Sequence, residues 1–265
     1  MNARRLSANH GVLWLLAGFS LFRRNPPLLT LLTFTYLLLV VVINLIPAIG
    51  PFLLPLVLPL LTVILANGCR SIEVKGAFNG TDLMREVADR RQAIMHLGGL
   101  HLLGSATMVL VSAALGMDLT LSENLTSEQM QDLALDLGLF LMLSTPLLMA
   151  FWFAPLLTLW DKIPAAKSVF FSFVASWRNW RAFFMYGVAV SVVGIVVPGI
   201  LLVTASLISA SVVTVVSVVL RMMMMCVLAP SLVASVYVSY RDVFQTIPVE
   251  TALVAEVPPD DAAQE

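Results

Sequence analysis

Arg221 stands inside an apolar run, residues 210–238, roughly 17 residues from its end, or about 25 Å of helix at 1.5 Å per residue. A cation at that depth in hydrocarbon costs from ~2.5 to over 10 kcal/mol, depending on how far it can reach toward water. No Asp or Glu lies well inside any apolar run, so its partners must come from elsewhere. They are backbone carbonyls freed by prolines, side chains such as Asn44, His101 or Ser191, water, or a lipid phosphate. Two roles stay open: an anion or headgroup site built from Arg221, His101 and Asn44, or an arginine that snorkels to the interface or serves as a hydrogen-bond hub. His96 and His101 are five residues apart and project about 140° apart on a helix, so one helix cannot turn both toward a single metal. Met222, Met225 and Cys226 share a helix face, and soft sulfur ligands select Cu(I). Methionine is equally a flexible apolar filler, however, and the sequence has no Met- or His-rich capture segment to go with them. The expectation is no metal and no cofactor.

Other chemistry is missing as well. The sequence has no phosphate-cradling glycine loop, metalloprotease motif, nucleophile elbow or paired membrane carboxylates, which points away from an enzyme. Two cysteines, Cys69 and Cys226, make no disulfide framework. The basic residues are scattered among apolar segments and form no solvated patch for nucleic acid.

The elements that must position these residues follow from composition. Of 265 residues, 59% are hydrophobic and 12% charged, and mean hydropathy is +0.94. Soluble domains are about 45–50% apolar and about 25% charged, so too little polar surface remains here to coat a water-soluble globule. A bilayer crossing needs about 20 mainly apolar residues. Six runs qualify: 28–46, 52–69, 93–115, 137–160, 182–205 and 210–238. Pro47, Gly50 and Pro51 mark a short turn in the first pair, and Ser206, Ser209 and Ser211 mark the turn between the last two. The basic pair Arg4 and Arg5 before an apolar stretch resembles a signal peptide, but the stretch ends in Arg23-Arg24-Asn25-Pro26-Pro27 rather than a small-residue cleavage site. A retained helix at the membrane surface is expected there.

Lysines and arginines are retained on the cytoplasmic side and set topology. Fourteen of the fifteen fall before run one, between runs two and three, between runs four and five, or after run six; Arg221 is the exception. The turns 47–51, 116–136 and 206–209 contain none. Both ends of the chain are therefore expected in the cytoplasm, with loop 116–136 on the far side. Thr126 and Gln129 in that loop have the spacing of a capping box.

Each pair of crossings is preceded by a segment with the 3.6-residue alternation of a surface helix. The first covers about 8–24, the second starts near Thr81, and the third follows Pro164, with Ser168, Ser172, Ser176 and Asn179 along one side. The chain reads as an all-α membrane bundle of six helices in three hairpins, each with a cytoplasmic-side amphipathic helix: a domain 1–244 with units 1–69, 70–160 and 161–244, then a disordered acidic tail, 245–265. Aromatic and basic residues cluster at the unit ends. Arg23, Arg24, Trp177, Arg178, Trp180, Arg181, Tyr240 and Arg241 form a candidate rim for lipid headgroups, since Trp and Tyr favour the headgroup level and Arg reaches its phosphates.

Phe22-Arg23-Arg24-Asn25-Pro26, the Pro47–Pro51 turn, Trp177-Arg178-Asn179-Trp180-Arg181-Ala182 and Ser239-Tyr240-Arg241-Asp242-Val243-Phe244 together resemble a family of uncharacterised proteobacterial six-pass inner-membrane proteins. More loosely, the layout is similar to YciC-like proteins and to the membrane domain fused to some glycerophosphodiester phosphodiesterases. The resemblance covers about residues 4–244, implies a bacterial inner membrane and brings no catalytic residue. The resulting expectation is a non-enzymatic lipid-interacting or scaffold protein with membrane lipids as partners, and a protein partner or second copy of the chain as the other candidates. The alternative is a small transporter or channel for an anion or amphiphile with Arg221 as its contact.

Overall fold

The computed structural model describes residues 3–74, 84, 87–118 and 126–244, and the regular elements among them are all helical. They are α1 (His10–Arg24), α2 (Pro26–Asn44), α3 (Gly50–Glu73), α4 (Arg91–Ala114), α5 (Ser127–Trp152), α6 (Ala154–Leu159), α7 (Ala165–Arg178), α8 (Trp180–Ser191), α9 (Val197–Ser206), α10 (Ala210–Met223) and α11 (Ala229–Phe244). Two short π-helical turns, Val192–Val196 and Met224–Leu228, join α8 to α9 and α10 to α11. Six continuous helical stretches are long and apolar enough to cross a bilayer. Large side chains such as Leu38 on α2, Leu110 on α4, Met142 on α5 and Ile195 between α8 and α9 are exposed, as hydrocarbon-facing surface requires. Residues 81–83 and 85–86 of the surface helix expected from Thr81, and the tail 245–265, lie outside the described residues.

Local chemistry sets several boundaries. Thr126 and Gln129 form the capping box that starts α5, the Gln129 backbone N–H donating to Thr126 Oγ1 and the Thr126 N–H to Gln129 Oε1 at 2.9 Å. α4 ends in a Schellman motif. Gly116 takes a φ of +67°, which L side chains avoid, and the Met117 N–H returns to the Ser112 carbonyl at 3.0 Å. Ser209 caps α10 through the Val212 N–H, so the last two crossings part at the serine cluster. Each π turn ends two residues before a proline, Pro198 or Pro230. Proline lacks an N–H and its ring collides with the carbonyl four residues back; widening the helix locally relieves that collision.

The contacts gather the described residues into two compact units that interleave along the chain. Among the described residues, one draws on 3–41, 62–74, 84 and 177–244, the other on 42–61, 87–118 and 126–176.

In the second unit, intramembrane polar groups are spent on the backbone. Pro59 offers no N–H to the Pro55 carbonyl, and His101 Nδ1 donates to that carbonyl at 3.0 Å. A carbonyl only accepts, so Nδ1 carries the proton. The His101 ring also packs on Phe151, 4.6 Å between centroids. Where α5 breaks before Pro155, the gap is bridged from α7: Ser172 Oγ accepts from the Phe153 N–H at 2.9 Å and donates to the Met149 carbonyl at 2.8 Å, which Ser176 Oγ also reaches. Ser168, Ser172 and Ser176 are fully buried, while Phe170 is 63% exposed. The serine side of α7 therefore faces protein and the aromatic side faces out, the reverse of a helix lying on a water-soluble core. Gly98 lets α4 touch α3, because a Cβ there would stand 2.4 Å from the Leu56 carbonyl oxygen.

Candidate functional site

The first unit holds the densest polar construction, and it is built around α1. This helix packs against α8 and α11, and two glycines one heptad apart set the approach. A Cβ on Gly11 would lie 2.1 Å from the Ala182 carbonyl oxygen, and one on Gly18 would lie 2.5 Å from that of Ser231. His10 and Trp14, one turn apart on α1, thereby reach Asp242 of α11. His10 Nδ1 donates to Asp242 Oδ2 at 2.7 Å, and Trp14 Nε1 donates to the same oxygen at 2.8 Å. Arg4 Nη1 stands 3.9 Å from the other oxygen, Oδ1. Both Asp242 and Trp14 are fully buried. The Trp14 ring also meets Phe183 edge-on at 5.2 Å.

The chain preceding α1 is tied down too. Asn179 Oδ1 accepts from the Leu6 N–H at 2.8 Å, and its Nδ2 donates to the Arg4 carbonyl at 2.9 Å. The Arg4 N–H in turn donates to the Val243 carbonyl at 2.9 Å. Beside this latch, Arg241 pairs with Glu73 at the end of α3, and Tyr237 donates its hydroxyl proton to the same carboxylate. Tyr186 on α8 and Ser235 on α11 share a hydrogen bond of 2.6 Å. Acid, base and aromatic groups here serve to lock α1 onto α8 and α11.

The sequence-derived candidates divide. Arg23, Arg24, Trp177, Arg178, Trp180 and Arg181 are all exposed, with the Arg181 guanidinium 5.7 Å over the Trp180 ring. Tyr240 and Arg241 are only 1% and 5% exposed, so they do not stand on an open rim. Residues 237–243 of α11 lie under packed neighbours, and Arg241 spends its charge on Glu73. Arg221 is exposed on α10 in the first unit, Asn44 is exposed at the end of α2, and His101 is committed to Pro55. Thr30 Oγ1 donates at 3.4 Å to the Cys226 carbonyl, the one that Pro230 cannot serve.

None of Asp242, His10, Asn179 and Glu73 stands out in the sequence as a site residue, although Asn179 marks the polar side of the helix after Pro164 and Asp242 lies in one of the resembling stretches. The legible signal was the pair His10 and Trp14 at i, i+4, which shares a helix face; its acceptor lies 232 residues from His10.

Six long apolar helices, lipid-compatible outer faces and polar groups turned inward define a multi-pass helical membrane protein. A protein of Burkholderia thailandensis named as a probable inner membrane protein is 34% identical over 201 residues, which make up 71% of this chain and 74% of that protein. The chain belongs to that family of inner-membrane proteins. No protein-family model matches it, and no solved structure matches it.

Proposed function

We propose that the protein is a non-enzymatic, lipid-interacting scaffold of the inner membrane, working through a basic–aromatic rim on the cytoplasmic side. The observation that carries this reading is the segment around Asn179. Trp177 and Trp180 are 62% and 51% exposed and Arg178 and Arg181 are exposed beside them, while Asn179 between them is buried in the latch. A rigid backbone thus presents two indoles and two guanidinium groups outward, the combination that settles at headgroup depth and meets anionic phosphates. Arg23 and Arg24 add to it from the end of α1. The use of His101, Thr30 and Ser172 to satisfy backbone groups, rather than to line a path, favours a scaffold over a transporter.

The test is a variant carrying Trp177→Ala, Arg178→Gln, Trp180→Ala and Arg181→Gln, purified in native bilayer discs. Wild type should enrich anionic phospholipid several-fold over the surrounding membrane, and the variant should fall to the bulk ratio by lipid mass spectrometry. Enrichment unchanged in the variant would remove the rim from the account.

The orientation belongs to the same proposal. In this reading both chain ends lie in the cytoplasm, which the sorting of lysines and arginines to one side of the six apolar runs supports. A periplasm-active reporter fused after residue 125 should be active and one fused after residue 244 inactive; the opposite pattern inverts the rim.

A further inference from the structure

The first unit contains an apolar groove of about 310 Å³ with walls from α1, from the α8–α9 stretch and from the α10–α11 stretch. Leu16 and Phe19 form one wall, Val197 and Leu201 the second, and Leu220 and Met224 the third. Both π turns border it, so the widened helices shape the cleft. Ser231 is the one hydroxyl-bearing residue in the lining, and its proton already goes to the Val227 carbonyl at 2.6 Å. The groove therefore suits a ligand with no hydrogen-bonding groups along its length. It opens outward, since Leu16, Phe19 and Leu201 are 51%, 40% and 44% exposed.

A cation stands beside the Phe19 wall of the groove. From Phe19 the α1 backbone runs four residues, about 6 Å, to Arg23. The exposed Arg23 guanidinium sits 5.9 Å over the Phe19 ring. Leu16, Phe19 and Arg23 follow i, i+3, i+7, so hydrocarbon contact and cation share one helix face.

Resting on the lipid-interacting reading for its class of ligand, we infer that this groove seats one acyl chain of an anionic phospholipid whose phosphate is held by Arg23. Protein surrounds the chain on three sides, so this lipid exchanges more slowly than those on the outer faces.

The test uses the full chain in discs of phosphatidylglycerol and phosphatidylcholine, released into the gas phase for native mass spectrometry. Wild type should retain a single phosphatidylglycerol after the bulk lipid is stripped. Val197→Trp fills the groove and should lower the retained fraction at least tenfold, with thermal unfolding checked in parallel; should it not fold, Leu201→Trp takes its place. Arg23→Gln should keep chain occupancy but abolish the preference for phosphatidylglycerol. Wild-type retention in a folded groove-filled variant, or no retained lipid in wild type, overturns the inference. The rim variant described above separates the two ideas. Loss of bulk enrichment with the single lipid retained supports both, whereas bulk enrichment unchanged in that variant counts against the rim alone.

Discussion

Asp242→Ala should detach the N-terminal helix. The carboxylate is fully buried and is the acceptor for both His10 Nδ1 and Trp14 Nε1. Alanine leaves the imidazole N–H and the buried indole N–H without their acceptor, and each stranded donor costs about 1–3 kcal/mol. The effect should be local first, because α1 is attached to the rest of the first unit by this latch and its glycine contacts. Backbone amides of α1 should lose hydrogen-exchange protection well before those of α10. Asp242→Asn keeps one oxygen for the two donors but loses the charge that faces Arg4, and should fall between alanine and wild type. Equal protection of α1 in wild type and Asp242→Ala would show that packing alone holds the helix.

Gly11→Val should have an effect of similar size by a different route. Even the first side-chain carbon would sit 2.1 Å from a backbone oxygen and 2.5 Å from the Tyr186 nitrogen, neither of which belongs to a flexible side chain. α1 must then back away from α8, and the Trp14–Phe183 contact goes with it. Overpacking typically costs 1–3 kcal/mol, and a backbone-against-backbone collision belongs at about 3 kcal/mol. Gly99 provides the control. A Cβ there meets nothing within 4 Å, so Gly99→Ala should be neutral or stabilise by up to about 1 kcal/mol through helix propensity. Thermal unfolding in detergent reads both. Since Asp242→Ala and Gly11→Val release the same helix, the double variant should lose clearly less than the sum of the singles.

The six crossings, the capping box at Thr126 and the serine turn before Ala210 were legible because each depends on residues close in sequence. Hydropathy over 20 residues, a side chain reaching three residues on, and proline's missing donor are local facts. The latch was not legible. Whether an arginine near the end of an apolar run looks out at headgroups or in at a carboxylate depends on what is laid over it. Arg181 and Arg241 read alike as interfacial anchors, yet one sits over Trp180 on the surface and the other is buried against Glu73. The serines of α7 show the same limit. Their period was visible, but only the α5 break at Phe153 explains why they turn inward.

The latch also carries a consequence for biogenesis. His10 and its acceptor are separated by 232 residues, and ribosomes add about 5–20 residues each second. For roughly 10–45 s of translation, the opening amphipathic segment has no Asp242 to bind. It must wait at the bilayer, shielded by lipid or an insertase, until the closing crossing arrives, so assembly of this unit finishes where synthesis of the bundle does.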